Sequence, residues 1–539
     1  MSSTRQSSTS YRSRAGTTPS RHIKAEASGA PVESESPLGY EVSWLTVILL
    51  NVGQMVGTGV FSTPGSILSA LGSVGLSLVY WVLGLIIAMA GLLVYLELAS
   101  YFPNRSGGEV VYLEQGWPRP KYFLPTAFAA YKVIFSFGSS NAIVLSTYLY
   151  RTAGSTPTEW QSKGVAIAGY TVAIAIVTFS NKWSLRFSNA ITVVKLLTLV
   201  FITVTGFVVL AGGIDAVPDP GFNFRNSFDG TTNDAYGITN ALVRINFAYS
   251  GWENCFNVVA EIKARSTPPG RPTRVDVVAE TDQDRAVGWS SVHHHRRRAL
   301  HVVPKDEIVE GNTITASLFF AKVFGAGNAA RALNILILLS AFGNLVSVLI
   351  GQGRMIRECG RFAPLDLSLR GVVGSSVDLA LYPNSVFLGL MAVGLFSIRR
   401  YRSRIHVGRA EFRAYDGVVV FYLAVQVFLL VMPWVPPEGG IYAGNVSFLY
   451  ATAPIVGIGL LLVCGVYYWV WIIVLPTHRR YAIRQELIVL DTGEATHSLI
   501  RVPLEKIAEW DSVHDVTGRV YEDRSRGERQ NAKAVKQAV

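Results

Sequence analysis

Apolar residues in this chain gather into runs of about 20, separated by short segments rich in Gly, Pro, Lys and Arg. A helix of about 20 apolar residues can cross a hydrocarbon core about 30 Å thick. Backbone groups have no water partners in lipid, so such runs are predicted to be helical. The pattern predicts membrane spans at 44–71, 75–101, 124–150, 165–180, 188–212, 235–261, 332–352, 377–398, 417–434 and 448–475.

Two of the predicted spans contain residues that interrupt a helix. Gly57-Thr58-Gly59 lies within the first span, and Ser250-Gly251 lies within the sixth. Discontinuous helices at corresponding places in the two halves of a transporter mark its binding site. Small residues also mediate ordinary packing between membrane helices, so the glycines by themselves leave both interpretations open.

Basic residues in the short loops predict the orientation of the spans. Lys and Arg follow the second, fourth, sixth, seventh, eighth and tenth spans, and the intervening loops are nearly free of them. Cytoplasmic loops carry such an excess, so both termini are predicted to be cytosolic. This distribution also accounts for the net charge of +11 on the 539-residue chain, and no nucleic-acid partner is expected.

The same loop charges require two crossings that the sequence does not show. Arg265 and Arg354 should both be cytosolic, yet only the apolar run 332–352 lies between them. A second crossing is missing between Arg361 and Arg399. We therefore expect two membrane helices to be lost or corrupted in this chain.

The segment 265–303 stands where the first missing crossing should be. It is densely charged and contains the run HHHRRR at 293–298, so it is not expected to form a lipid-facing helix. It is a solvated basic loop, a metal or nucleic-acid patch, or sequence translated out of frame or from a retained intron. We favour the third hypothesis, a gene-model error, and interpret 362–376 as the site of a deletion.

Four sequence segments together indicate a family. They are NVGQMVGTGVFSTP at 51–64, YLELASYFPNRSGGEVVYLE at 95–114, FAYSGWENCFNVVAEIK at 247–263 and GNLVSVLIGQGRMIRECGR at 343–361. In these segments the chain resembles the amino-acid–polyamine–organocation superfamily. It looks most like fungal high-affinity methionine permeases, which are relatives of the L-type amino acid transporters.

The resemblance implies an all-α membrane protein with a five-plus-five inverted-repeat transporter fold and two further C-terminal helices. The two missing crossings would be the seventh and ninth helices of that plan. The chain is then expected to divide into a disordered cytosolic tail (1–40), a first repeat with the broken sixth helix (41–264), the aberrant segment (265–303), the rest of the second repeat (304–400), two C-terminal helices (401–476) and a cytosolic tail (477–539).

The interrupted first span is predicted to bind the substrate's carboxylate. Gly57, Thr58 and Gly59, followed by Val60, leave backbone N–H groups at the start of a half-helix. The helix dipole favours an anion there, and an amino acid needs such dipoles because dehydrating its charges is costly.

The unwound carbonyls are predicted to bind the substrate's ammonium group. By resemblance to the L-type transporters, these are the carbonyls of Met55, Phe247 and Ser250. Phe247 is also a candidate gate over the pocket, although an aromatic residue in an apolar helix is by default part of the core.

Two intramembrane charges are candidates for ion coupling, since a charge within the membrane is costly. In several relatives a lysine matching Lys195 occupies the place of a sodium ion; snorkelling is the alternative. Bacterial relatives carry a glutamate matching Glu253, and burial would favour its protonated form. Glu97 belongs to an inner gate or, as we favour, to a structural ion pair.

The function implied is proton-coupled uptake of methionine or another neutral amino acid at the plasma membrane by alternating access. An enzyme is not expected, since no nucleophile–base pair or metal-ligand cluster falls within the spans, and we expect no cofactor and no metal. A membrane amino acid sensor and an inactive product of a faulty gene model remain the alternatives.

The cytosolic tails suggest two further partners. Lys24 is the only lysine before the first span, and tails of this family are targets of the ubiquitination machinery. Residues 486–490 and 497–502 alternate or carry β-branched side chains around a DTGE turn, which predicts a hairpin that plugs the inner mouth.

Overall fold

The protein is represented by a computed structural model. The structure describes residues 42–102, 105–135, 139–212, 219, 221–262, 305–311, 315–325, 327–362, 377–405, 412–438, 440, 449–489, 495–514, 518 and 520. The tail residue Lys24, the aberrant segment 265–303 and the gap 363–376 lie outside these ranges. The predictions made for them remain predictions.

Helices make up most of the described chain. In chain order they are α1 (Trp44–Met55), α2 (Thr58–Ser62), α3 (Pro64–Leu71), α4 (Val74–Tyr101), α5 (Glu109–Gly116), α6 (Phe123–Phe135), α7 (Ser139–Ala153), α8 (Glu159–Phe179), α9 (Asn181–Leu210), α10 (Ala235–Tyr249), α11 (Lys305–Gly311), α12 (Thr315–Phe324), α13 (Asn328–Phe362), α14 (Val377–Arg404), α15 (Asp416–Val431), α16 (Thr452–Tyr468), α17 (Leu475–Arg479) and α18 (Ile507–Val513). Short 3-10 helices cover Phe222–Phe224, Trp252–Glu261, Met432–Trp434 and Leu504–Lys506, and a π-helical turn covers Trp469–Val474.

The predicted spans are helical in the structure. Within the described ranges, 7 helical stretches are long and apolar enough to cross a membrane. The other predicted spans are also helical where they are described, as α6 with α7, α10 with the 3-10 helix Trp252–Glu261, and α14. The class of helical multi-pass membrane protein is therefore confirmed.

The sequence pattern missed several helical segments. Helices α5, α11 and α12 are too short to resemble spans, and none of them was predicted. The span predicted to end at 352 continues in α13 to Phe362, because Arg354 finds a carboxylate partner inside the bundle and does not have to reach water. An arginine is thus a poor marker of a helix end when it is paired.

The predicted C-terminal hairpin is confirmed. Strands β1 (Tyr481–Val489) and β2 (Ala495–Pro503) pair antiparallel, with Tyr481 opposite Pro503. Arg484 of β1 forms a two-pronged ion pair with Asp511 of α18, which fastens the hairpin to that helix. The hydrogen bond from Arg484 lowers the pKa of the Asp511 carboxyl below its usual value. The connecting residues 490–494 lie outside the described ranges.

Buried ion pairs join helices at the end of the bundle that the loop charges predict to be cytosolic. Arg354 of α13 donates from Nε to Glu261 at 3.0 Å. Arg399 of α14 donates from Nε to Glu97 of α4 at 2.7 Å. Glu97 is fully buried and also accepts from the backbone amide of Ala414 at 2.9 Å. The ion-pair interpretation of Glu97 is therefore confirmed, and its part in a gate remains a prediction.

Candidate functional site

The first membrane span is broken between α1 and α2. α1 ends at Met55 and α2 begins at Thr58, so Val56 and Gly57 connect two half-helices. The last turn of a helix leaves carbonyls without intrahelical partners. Here side chains from other helices bind them: Lys195 donates to the Gly53 carbonyl, Asn344 to that of Gln54 and Ser340 to that of Val56.

The sixth span is broken at the residues that the sequence predicted. α10 ends at Tyr249, and Gly251 has φ of +121°, a value that favours glycine. The chain continues as the 3-10 helix Trp252–Glu261. The Phe247 carbonyl accepts the Ser250 amide at 3.1 Å, which leaves its second lone pair for another donor.

The two breaks pack directly against each other. A Cβ added to Gly251 would lie 2.9 Å from the Met55 amide nitrogen, and a Cβ added to Gly59 would lie 3.0 Å from the Ala248 Cα. The backbones therefore approach within a distance that only glycine permits. The structure brings Met55, Gly59 and the Ser250-Gly251 step to one place.

The other predicted carboxylate-binding residues lie at the start of α2. Thr58 is buried, and its hydroxyl donates to Asn141 Oδ1 at 2.6 Å, so this side chain is already engaged. Val60 is buried in an apolar cluster with Val56 and Phe61 and can offer only its backbone. The first turn of a helix lacks intrahelical acceptors for its amides, so these N–H groups suit an anion.

Gly57 has a packing role as well. A Cβ at this position would overlap the amide nitrogen of Asn344 and lie 2.6 Å from its Cγ and 3.0 Å from the Gln54 carbonyl. Asn344 thus covers Gly57 from α13 while its side chain caps the end of α1. The packing role of Gly57 is therefore observed, and its part in binding a carboxylate remains a prediction.

Lys195 reaches the first break from α9. Its side chain is 2% exposed, and its Nζ donates to the Gly53 carbonyl at 2.6 Å. An ammonium group held on a carbonyl at a helix break occupies the kind of position in which broken helices bind a cation. This geometry argues against snorkelling, since the charge points into the bundle.

Glu253 follows the second break and folds back on it. Its Oε2 accepts the Gly251 amide at 2.8 Å, and its Oε1 accepts the Ser250 hydroxyl at 3.3 Å. The carboxyl therefore lies in direct contact with two residues of the break. A change in its protonation would alter these two hydrogen bonds.

Several polar residues around the site were not predicted. The side-chain Nδ2 of Asn51 donates to the Trp252 carbonyl at 2.9 Å, and its Oδ1 accepts the backbone amide of Cys255 at 2.8 Å. Buried Glu109 of α5 accepts from the Tyr95 hydroxyl at 2.9 Å. Their sequence signal was a polar residue in an apolar run, which by itself does not reveal the partner.

Helices interrupted at two places, with both breaks and a buried lysine meeting inside the bundle, define the class of secondary transporter rather than enzyme. The sequence matches the family described as "Amino acid permease" over residues 42–273 and 299–362. The chain belongs to this amino acid permease family, and the predicted superfamily is confirmed.

Curated relatives agree with the family. The chain is 30% identical to the high-affinity methionine permease of Saccharomyces cerevisiae over 87% of this chain and 86% of that protein. It is 30% identical to the b(0,+)-type amino acid transporter 1 of Oryctolagus cuniculus over 46% of this chain and 50% of that protein. The solved structure of Mhp1, a nucleobase–cation symporter, aligns with a TM-score of 0.46 and 12% identity over 80% of this chain and 94% of that chain.

Proposed function

We propose that this permease takes up methionine or another neutral amino acid across the plasma membrane, coupled to protons, by alternating access. The observation that carries the proposal is the meeting of the two helix breaks, Val56-Gly57 and Ser250-Gly251, inside the bundle. Similarity to a methionine permease over most of both chains supports the substrate class. Both termini are assigned to the cytosol on the loop charges.

The substrate's two charges are assigned to the two breaks. The amides at the start of α2, at Gly57, Thr58 and Gly59, bind the carboxylate, because a helix N-terminus favours an anion. The carbonyls of Met55, Phe247 and Ser250 bind the ammonium group. The close contacts of Met55 with Gly251 and of Gly59 with Ala248 support this pairing, since they hold the two breaks against each other.

Uptake in a cell that lacks its own methionine permeases tests the function. The chain carrying a C-terminal tag should accumulate radiolabelled methionine, and surplus unlabelled methionine should suppress the signal. Surface-localised chain that neither binds nor accumulates methionine would contradict the proposal and favour the inactive product. Binding without accumulation, together with a ligand-dependent signal, would favour the sensor.

The coupling scheme assigns one ion role to each of two residues. Lys195 replaces a sodium ion, because its ammonium group already donates a hydrogen bond to the Gly53 carbonyl. Glu253 carries the proton, because its carboxyl bonds to both residues of the second break. Protonation turns one carboxylate oxygen into a hydroxyl, which weakens or reverses its hydrogen bond with Ser250 or Gly251 and so links the proton to the shape of the site.

We expect uptake to rise as external pH falls, to persist when sodium is replaced by choline, and to lose its pH response in Glu253→Gln. The substitution leaves a neutral group at all pH values, so no proton can be exchanged there. Initial rates of methionine uptake between about pH 5 and pH 8 measure the effect, because the substrate's carboxylate stays ionised over that range.

Glu159→Gln is the matched control, since this glutamate is exposed and, among the described residues, pairs with Lys163 one turn away. It should leave the pH profile unchanged. A sodium requirement in the unmodified chain would contradict the role of Lys195. An unchanged pH profile in Glu253→Gln would contradict the role of that carboxyl.

The C-terminal hairpin is proposed to plug the inner mouth. Strand β2 of the hairpin packs against α13, the helix that carries Arg354, and this contact supports the role. A further proposal is that the cytosolic tails are targets of the ubiquitination machinery, which Lys24 alone supports. The inverted repeats, the loss of the seventh and ninth helices and the gene-model error at 265–303 also remain proposals, resting on the loop charges and the resemblance.

A further inference from the structure

Helix α10 contacts other elements on most of its circumference. Gly237 and Ala248 face the first span, where a Cβ on Gly237 would lie 2.6 Å from the Ala70 carbonyl. Tyr249 faces α4, against Gly84. Leu242 packs in an apolar cluster with Leu429 of α15. These contacts account for three directions around the helix.

One face of α10 takes no part in these contacts, and we call it the stripe. Asn240, Arg244 and Phe247 are spaced i, i+4 and i+7, so they lie above one another on a single face. All three are half-buried. Phe247 packs into none of the three apolar clusters that the described residues form. α10 also contacts the long helix α14.

This stripe leads down to the second break. Phe247 at its lower end is the candidate gate, two residues before the end of α10. Arg244 lies about one turn above Phe247, toward the outer end of the helix. A substrate that approaches the break along this face from outside therefore passes Arg244 before it passes Phe247.

Arg244 carries its charge beside a neutral partner. Its Nε donates to the Asn240 Oδ1 at 3.2 Å, and no carboxylate pairs with it among the described residues. Asp234, the acid at the outer end of α10, is held by the amides of Tyr236 and Gly237. It lies ten residues away, about 15 Å along the helix axis. A charge within a membrane span without a carboxylate partner marks a functional position.

We propose that Arg244 is the charge filter of the outer approach and of the site below it, where its positive potential favours binding of neutral amino acids over those with a cationic side chain. Selectivity against a wrong ligand often comes from a repulsive element and not from a better fit to the right one. The Arg244 charge attracts the carboxylate and repels the ammonium group that every amino acid carries, so a cationic side chain adds a net repulsion that a neutral one does not. This inference deepens the proposed function and rests on it.

Binding to the purified full-length chain in detergent tests the filter. Radiolabelled methionine is the probe, and unlabelled methionine and lysine are the competitors. In Arg244→Gln the lysine-to-methionine ratio of inhibition constants should fall by about tenfold, the effect of a unit charge about 10 Å away at an effective dielectric constant of about 20. Arg244→Glu should lower the ratio further, and Arg244→Lys should leave it unchanged.

Arg225→Glu is the matched control, because this arginine lies in an outer loop, is 74% exposed and pairs with Asp219. It changes the charge on the outer side without touching the stripe, so the ratio should stay as in the unmodified chain. The thermal unfolding midpoint of each variant shows whether it is folded. Should Arg244→Glu fail to fold, the Gln and Lys variants decide the matter.

Two negative results are distinguishable. If the unmodified chain binds methionine but folded Arg244→Gln shows the same ratio, the filter is overturned and the proposed function stands. If the unmodified chain binds neither amino acid, the proposed function fails and the filter fails with it. An equal fall of the ratio in Arg225→Glu would also overturn the filter, since any outer charge would then suffice.

Discussion

Gly57→Val should abolish methionine binding by the purified chain. The Cβ position of residue 57 lies 2.6 Å from Asn344 Cγ and 3.0 Å from the Gln54 carbonyl oxygen. The two methyl groups of valine have no room between these atoms. Asn344 can turn away only by giving up its hydrogen bond to that carbonyl. The chain between α1 and α2 must therefore shift, and the amides proposed to bind the carboxylate shift with it. Equilibrium binding of radiolabelled methionine measures the loss.

Gly465→Val is the matched control, because this glycine lies in α16 and no atom of another described element comes within 4 Å of its Cβ position. It should bind methionine as the unmodified chain does. Gly57→Ala combined with Asn344→Ala separates the two roles of the glycine. Recovery of both folding and binding in that pair would show that packing against Asn344 was the whole effect. Normal binding by Gly57→Val would overturn the site assignment.

Arg354→Ala should destabilise the chain by about 3–5 kcal/mol, the usual cost of leaving one member of a buried ion pair alone. Glu261 is fully buried and receives hydrogen bonds from Arg354 at 3.0 and 3.2 Å. Without the guanidinium, its carboxylate has neither its counter-charge nor water. The thermal unfolding midpoint in detergent should fall, and the expressed chain should aggregate more readily.

Arg413→Ala controls for the loss of an arginine, because it removes an exposed pair with Asp416 at 3.6 Å. Such a surface pair is worth about 0–1 kcal/mol, so the midpoint should barely move. The double variant Arg354→Met with Glu261→Leu should recover most of the loss, since apolar replacement of both partners is often neutral. A double variant as unstable as Arg354→Ala would show that Arg354 acts through other contacts.

The apolar pattern predicted the spans because length and hydropathy are local properties of the sequence. The two helix breaks were also local signals, since Gly57, Gly59 and Gly251 stand out in apolar runs. The C-terminal hairpin was visible in the same way. Each of these features depends on residues that are neighbours in sequence.

The features that the sequence did not predict depend on partners far along the chain. Asn344 caps the end of α1 from a position 290 residues away. Arg354 appeared to be a loop residue, because its buried partner Glu261 lies 93 residues earlier. Arg244 became a candidate only when the packing contacts of α10 did not account for the face on which it lies. No local pattern encodes these contacts, which arise only when the spans assemble.

The inner halves of the two broken spans are fastened to each other at two points. Asn51 joins α1 to Trp252 and Cys255, and the Val42 amide donates to the Glu261 carbonyl at 3.3 Å. Two rods pinned at two points cannot rotate separately, so they form one lever. Under the alternating access that we propose, this lever pivots at the two breaks, and Arg354 holds its free end through Glu261. A single motion of that lever, released at one latch, would then open the path to the cytosol.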